Sequence, residues 1–257
     1  MINESTCLQE AQERSLEPYH LSGSASSSDA SCLQPAAYEL KFLIAENWAS
    51  EVIGWARQNL RRDPNVDPLL DDSYQISSLY FDTPALDTFY RRRPFRRAKY
   101  RLRRYGAERV FYLERKRKAG DRVQKQRTQI RSADLMQSSN TNGLFPWLDG
   151  FAPRTRVRDL QPLCQVNYQR AAYIGGSIED PIRLTLDRQL FCGPVTEEMF
   201  KSIPLVTRLL PGQRVLELKY CGRLPALFKR VMHELNLDPK PISKYRLSVD
   251  ALNLRGN

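Results

Sequence analysis

The 257-residue chain has no run of 18 or more apolar residues, so no helix is expected to cross a membrane. Its N-terminus lacks a basic start followed by an apolar core, and no secretory signal is expected. Histidine is scarce: His20 and His233 stand far apart. That argues against a His-rich zinc site and gives little support to a histidine-based triad. The five cysteines (Cys7, Cys32, Cys164, Cys192, Cys221) are odd in number, widely spaced and form no CxxC pair. Such usage predicts reduced thiols and a cytoplasmic location. There is no GxxxxGK(S/T) loop, no GxGxxG after a strand pattern, no DxD pair and no GxSxG elbow. A P-loop nucleotidase and a Rossmann enzyme are therefore disfavoured.

What is present is positive charge. The formal net charge is +11. The first 34 residues carry one basic and five acidic groups, which leaves 39 basic and 24 acidic residues, a net +15, on the rest. An excess of that size calls for an anionic partner. Low hydrophobicity and the run Ser22-Gly-Ser-Ala-Ser-Ser-Ser28 predict a mobile polar tail over residues 1–34. One folded domain is expected over 35–257.

The charge has a period. In Lys99-Tyr-Arg-Leu-Arg-Arg-Tyr105, Lys99, Arg101, Arg103 and Tyr105 share one face of a strand, and Tyr100 and Leu102 the other. After a turn at Gly106–Val110, Tyr112, Glu114, Lys116 and Lys118 oppose Phe111 and Leu113. The same alternation sets Glu39 and Lys41 against Tyr38, Leu40 and Phe42. It sets Arg183, Thr185 and Asp187 against Ile182, Leu184 and Leu186, and Glu217 and Lys219 against Leu216, Leu218 and Tyr220. Further strands are expected at 75–82, 122–131 (Lys125 and Arg127 on one face), 163–173 (Tyr168 and Arg170 on one face) and near 203–207. Helices are expected at 45–60, from Thr83-Pro84 to about Tyr90, at 132–148 and at 225–235. Residues 246–254 read as a helix or a strand, and a loop is expected from Phe191. Two architectures fit. One is an open antiparallel sheet with its charged face in water. The other is a closed barrel with charged faces lining the lumen and apolar faces packed outward under helices. A lumen of Lys and Arg would repel itself when empty, which makes sense only if it holds a polyanion.

Phosphate chains need many donors: Arg supplies a planar fork, Lys a movable point charge. Carboxylates among the cations would hold the divalent ion that polyphosphate chemistry requires. Three E-x-K pairs (Glu39/Lys41, Glu114/Lys116, Glu217/Lys219) have that interleaving. Singly, each is also explained as a same-face salt bridge worth about 0–1 kcal/mol.

The ordered set Glu39-Leu-Lys41, Ser78-Leu-Tyr-Phe-Asp-Thr83, Lys99–Tyr105, Leu113-Glu-Arg-Lys116, Tyr168-Gln-Arg170, Arg183-Leu-Thr-Leu-Asp187, Leu216-Glu-Leu-Lys-Tyr220 and Ser243-Lys-Tyr245 resembles the VTC domain. That is the catalytic module of the vacuolar transporter chaperone polyphosphate polymerase. It belongs to the triphosphate tunnel metalloenzymes, which are related to the CYTH phosphatases. The resemblance covers about residues 37–250. It implies an α+β fold built on an antiparallel β-barrel, a triphosphate tunnel of about eight strands with flanking helices. It implies Mn²⁺ or Mg²⁺ as cofactor, and ATP and inorganic polyphosphate as partners. Lys41, Arg101, Arg103 and Lys116 are the implied catalytic residues. They would grip phosphate together with Lys125, Arg170, Arg183, Lys219 and Lys244, and Tyr168 and Ser243 would donate hydroxyl hydrogen bonds. Glu217 and Glu39 would hold the metal. The wider superfamily's first strand carries E-x-E-x-K, whereas Ala37 stands at the first position here. A single carboxylate on that strand fits the polymerase branch better than the hydrolase branch. Three alternatives stay open: a tri- or polyphosphatase of the same fold, a non-catalytic polyphosphate-binding module, and a basic RNA-binding domain. The last is disfavoured, because aromatics do not interleave with Arg and Lys in an RNP-like arrangement.

Overall fold

The computed structural model describes residues 32–132, 160–195, 200 and 207–255. The predicted tail up to residue 31, nearly all of the predicted 132–148 helix, and positions 203–206 lie outside them. Eight long strands dominate: β1 Cys32–Ala45, β3 Ser73–Asp82, β4 Ala98–Tyr105, β5 Val110–Ala119, β6 Arg122–Arg131, β7 Gln161–Gly176, β8 Pro181–Pro194 and β10 Gln213–Tyr220. Two-residue strands β2 (Arg61–Arg62) and β9 (Thr207–Arg208) add to the rims of β7 and β8. Neighbours run β7-β3-β4-β5-β6-β1-β10-β8, and β8 pairs back onto β7, so the sheet closes with every pairing antiparallel. Closure removes the free edges that an open sheet of this size would expose.

Alternation along each strand then sorts the side chains. Phe42, Leu184, Leu216 and Leu218 point outward, under helix α1 (Ala49–Asn59) and helix α3 (Ala226–Glu234). Val52, Trp55 and Ala56 of α1 and Phe228 and Val231 of α3 complete that cluster. On the other wall, Leu79, Phe81, Leu102, Leu113 and Ile130 form a second outer layer with Phe95, Leu160 and Phe200. Each such fully buried side chain is worth about 1.5–3 kcal/mol. The outer layers therefore secure the barrel while the lumen stays polar.

Helix α4 (Lys244–Ala251) follows Ser243, whose hydroxyl accepts a hydrogen bond from Arg246 N–H at 3.3 Å and caps it. Tyr245 and Val249 pack with Cys164, Val166, Tyr168, Leu190 and Cys192. Cys164, Val166 and Tyr168 share the parity of Arg170, so α4 lies against the inner wall on the β7–β8 side, at the end of the barrel where Lys99 reaches Ser243. The cap at Ser243 settles the choice between helix and strand in favour of helix, which runs to Ala251 and gives way to turns at 252–255.

Three expectations need correction. The strand expected to stop before Phe191 runs on to Pro194, because Phe191 and Cys192 find partners on both β7 and β9. The first strand starts at Cys32, extended by pairing with β6. Thr83 is not the N-cap of the next helix: α2 (Asp87–Tyr90) follows Leu86. The Asp82 carboxylate accepts from the N–H groups of Thr83, Thr88 and Phe89 at 2.8–3.0 Å, capping α2 from the preceding strand.

Candidate functional site

The lumen is a cavity of about 880 Å³. All thirteen residues expected at the site line it: Glu39, Lys41, Arg101, Arg103, Lys116, Lys125, Tyr168, Arg170, Arg183, Glu217, Lys219, Ser243 and Lys244. They come from β1, β4, β5, β6, β7, β8, β10 and the start of α4. The open-sheet reading is thereby excluded, since these side chains face one enclosed space.

Register stacks them in rows. Arg101, Glu114 and Arg127 lie side by side across β4, β5 and β6. The next row is Lys99, Lys116 and Lys125. Directly opposed like charges destabilise one another. The Lys125 ammonium, desolvated by burial and with Arg127 two residues on along the same face of β6, is pulled down to about 7 even with Glu114 close by. Lys99 falls to about 7 as well, through burial and then through Lys116, Arg246 and Arg101. On the opposite wall, Lys41 pairs with Glu217, which pairs with Thr185; beside that row run Glu39, Lys219 and Arg183.

Carboxylates partly answer the expected self-repulsion, in two different ways. Glu114 is fully buried and meets four cations: Arg101 at 2.6 Å, Arg127 at 2.7 Å, Lys125 at 3.3 Å and Arg103 at 3.8 Å. Burial pushes its pKa up, but Lys125, Arg101, Arg103 and Arg127 outweigh that and hold it well below the carboxylate range. Asp187, also fully buried, takes the Arg170 fork at 2.6 and 2.8 Å and Lys244 at 2.5 Å. Glu39 and Glu217 keep 11% and 14% side-chain exposure, open to the cavity. Lys41 touches both, contacting Glu217 closely and Glu39 at 3.5 Å, and Lys116 also contacts Glu39. Burial raises Glu39, but Lys116 and Lys41 hold it ionised far below its ordinary range.

Hydroxyls complete the lining. Tyr168 Oη accepts from Arg103 at 2.9 Å, and Ser243 Oγ accepts from Lys99 at 2.7 Å. The hydroxyl of Thr185, 3% exposed and lining the cavity opposite Glu217, has no hydrogen-bond partner.

Among the described residues no group of three or more His, Cys, Asp or Glu assembles as an all-protein metal cage. A divalent ion of the Mg²⁺ type does not need one: it takes one or two carboxylates and completes its shell with phosphate oxygens and water. Glu39 and Glu217, bridged by a single ammonium, with the unpartnered Thr185 oxygen beside them, are hard donors suited to that role. Glu114 and Asp187 are not, because each is fully buried against its cations, whereas Glu39 and Glu217 keep a face to the cavity.

Sequence reasoning passed over Tyr80, Lys99, Tyr105, Arg127 and Arg246 as site residues, all of which line the cavity. Parity alone would have found Lys99 and Arg127, which alternate with Arg101 and Lys125. Burial opposes ionisation of Tyr105, yet Arg103 and Arg127 bring its phenol down to about 7. No helix among the described residues is long and apolar enough to cross a membrane. Cys164, Cys192 and Cys221 are free thiols.

The model of the VTC domain family matches residues 36–253. Two solved structures superpose on the barrel. One is an adenylate cyclase-like protein of Bacillus halodurans (10% identity, 82% of this chain and 95% of that chain, TM-score 0.50). The other is an adenylyl cyclase-like protein of Hippeastrum, described as having a dominant triphosphatase activity (13% identity, 84% and 96%, TM-score 0.51). At these identities they show a shared fold. No curated protein sequence matches the chain.

Proposed function

Because the chain belongs to the VTC domain family, we propose that it is a polyphosphate polymerase, which moves the γ-phosphoryl group of ATP onto the end of an inorganic polyphosphate chain and releases ADP. The observation that carries this is the convergence of cations from seven strands and α4 on one enclosed cavity, beside two carboxylates left open to it.

The chemistry needs positioning more than covalent help. A bond forms between a terminal phosphate oxygen of the acceptor and the γ-phosphorus. The bond to the β–γ bridging oxygen breaks, and its electron pair leaves with ADP. Arg101, Arg103, Lys116 and Lys125 stand where they can neutralise charge on the phosphoryl oxygens; Glu114 holds Arg101, Arg103 and Lys125, Tyr168 also holds Arg103, and Glu39 holds Lys116. Arg170 and Lys244 are held by Asp187 on the other side of the lumen. Arg183 and Lys219 extend the grip along β8 and β10, and Ser243 presents its hydroxyl at the start of α4. Glu39, Glu217 and the Thr185 hydroxyl would hold Mn²⁺ or Mg²⁺, which when bound neutralises oxygens on neighbouring phosphates. Lys41 would then be displaced from Glu217 toward phosphate.

The acceptor distinguishes transfer from hydrolysis. Water must lose a proton as it attacks, whereas a terminal phosphate oxygen is already anionic. Deep in the lumen, Glu39, Glu217, Glu114 and Asp187 each touch at least one cation, Asp121 lies only at the mouth, and among the described residues no histidine lines the cavity. With those carboxylates engaged by cations, the lining suits an acceptor that is already anionic. Incubating the pure protein with ATP and Mn²⁺ tests the reading. A ladder of polyphosphate and stoichiometric ADP is expected; free phosphate with no polymer would overturn polymerisation in favour of a triphosphatase.

A further inference from the structure

The segment Arg91-Arg-Arg-Pro-Phe-Arg-Arg97 carries five arginines in seven residues. It links α2 to β4 at the end of the barrel where β5 turns into β6. All five are exposed, and Arg92 is held by Asp87 at 3.7 Å and by the Ala85 carbonyl at 3.0 Å. Among the described residues, Arg91, Arg93, Arg96 and Arg97 have no carboxylate within 4.0 Å. The backbone is nonetheless fixed. Phe95 is 2% exposed and meets Tyr100 edge-on at 6.1 Å, Ala98 N–H donates to Phe95 O, and Lys118 N–H donates to Arg97 O at 2.9 Å.

This cluster continues the lumen. Arg91, Arg96 and Arg97 line the same cavity as Arg101 and Lys116. Moving outward along β4 and β5, the Arg101–Glu114 pair gives way to Lys99–Lys116, and then to Arg97 beside Lys118. Acid falls away in that direction: Glu114 takes four cations, at the next step Lys116 keeps Glu39 while Lys99 bonds the Ser243 hydroxyl and no carboxylate, and the outermost step makes no ion pair, all among the described residues. Asp121 in the β5–β6 turn is the acid at this mouth, and it too makes none. The other end is different. There Tyr74, Tyr105 and Tyr112 meet edge-on at 5.7 Å, and Arg183 is tied to Asp63 and Tyr74.

We propose that the Arg91–Arg97 segment and Lys99 form a track for the part of a long polyphosphate chain that lies outside the catalytic lumen, so that the chain passes through this mouth. The proposal rests on the polyphosphate reading of the lumen. Clustered, unpaired and backbone-anchored cations cost stability unless an anion spans them. A linear polyanion already gripped inside the lumen reaches them without a second encounter. Such contacts act by releasing counterions, so their loss shows in the salt dependence as well as in affinity.

The experiment measures binding of tripolyphosphate and of a long-chain polyphosphate, at two salt concentrations, to the wild type, to R91Q/R96Q/R97Q and to R96Q/R97Q. R61Q/R223Q serves as a charge-matched control away from this mouth, and melting curves report folding. Expected are tripolyphosphate affinities within about twofold of wild type for all proteins. The mouth variants alone should lose about tenfold or more for the long chain, with a shallower salt dependence. Wild type that binds tripolyphosphate but gains nothing from chain length overturns the track and leaves the lumen reading intact. Wild type that binds neither overturns both. A single-stranded RNA that displaces the long chain at equal charge overturns polyphosphate as the occupant of the mouth.

Discussion

Glu114 and Glu217 are both carboxylates on inward strand faces, both two residues before a lysine, and both in contact with cations. Their surroundings separate them. Glu114 is wholly shielded and saturated by four basic groups. Glu217 keeps a face toward the cavity and one lysine partner that has a second carboxylate to return to. The first is an anchor that lets arginines crowd one wall before substrate arrives. Under the proposed function the second is exchangeable, and a metal with phosphate ligands would take the lysine's place. In the proposed function the same motif would serve architecture on one wall and chemistry on the other. Removing one partner of a buried charge cluster is expensive, while rearranging a half-open pair is not.

That contrast is open to attack from the stability side first. Glu114→Gln leaves four buried cations around a neutral amide. It should cost about 3–5 kcal/mol and lower the melting temperature by roughly 10 °C. Denaturant and thermal unfolding without ligand check this, and a near-normal melting point would show that Glu114 is no anchor. Adding tripolyphosphate should restore part of the loss, because the anion replaces the missing negative charge.

Glu217→Gln should do the reverse. The melting temperature should stay within a few degrees, since the pair it breaks is open to the cavity. Turnover with ATP and Mn²⁺ should fall by about 10²-fold or more. A Mn²⁺ titration followed by a spectroscopic signal rather than by activity should show weakened binding in the presence of tripolyphosphate. Unchanged Mn²⁺ binding would remove Glu217 from the metal site.

The smallest effect concerns pH. Burial brings Lys99 and Lys125 down to about 7, against 10.5 ordinarily. Between about pH 7 and 10.5 the unfolded chain therefore binds more protons at these positions than the folded one. Their contribution to stability rises with pH across that window and is unfavourable below it. A bound polyanion favours the charged lysines, so binding takes up protons and weakens as pH rises above about 7. Calorimetry in buffers of different ionisation enthalpy reads the uptake directly. Tripolyphosphate binding without proton exchange at pH 7.5 would show that these lysines are already charged.

The alternation in Lys99–Tyr105, Val110–Lys118 and Ile182–Asp187 was legible because period two is imposed by the strand backbone itself. It marked the lumen-facing residues before any pairing was known. Lys99 and Arg127 lay in the same pattern, and their placement in the cavity follows from parity. What the pattern did not separate was Glu114 from Glu217, or Asp187 from Glu39. Their difference comes from which strands become neighbours, and that depends on register across distant segments. The extension of β8 to Pro194 was hidden for the same reason: Phe191 and Cys192 find partners only in β7 and β9.

By itself, then, the sequence determined a set of two-faced strands, a strongly basic domain and the family to which their order belongs. Local backbone geometry needs no distant partner to place alternate side chains on opposite faces. Only the tertiary structure decided that β7 pairs with β8 to enclose the charge, and that α4 and the arginine segment meet at the same end of the barrel. It alone decided which acids are spent on holding cations and which stay open. Desolvation and Coulomb forces depend on what surrounds a group, and the surroundings come from residues far away in the chain.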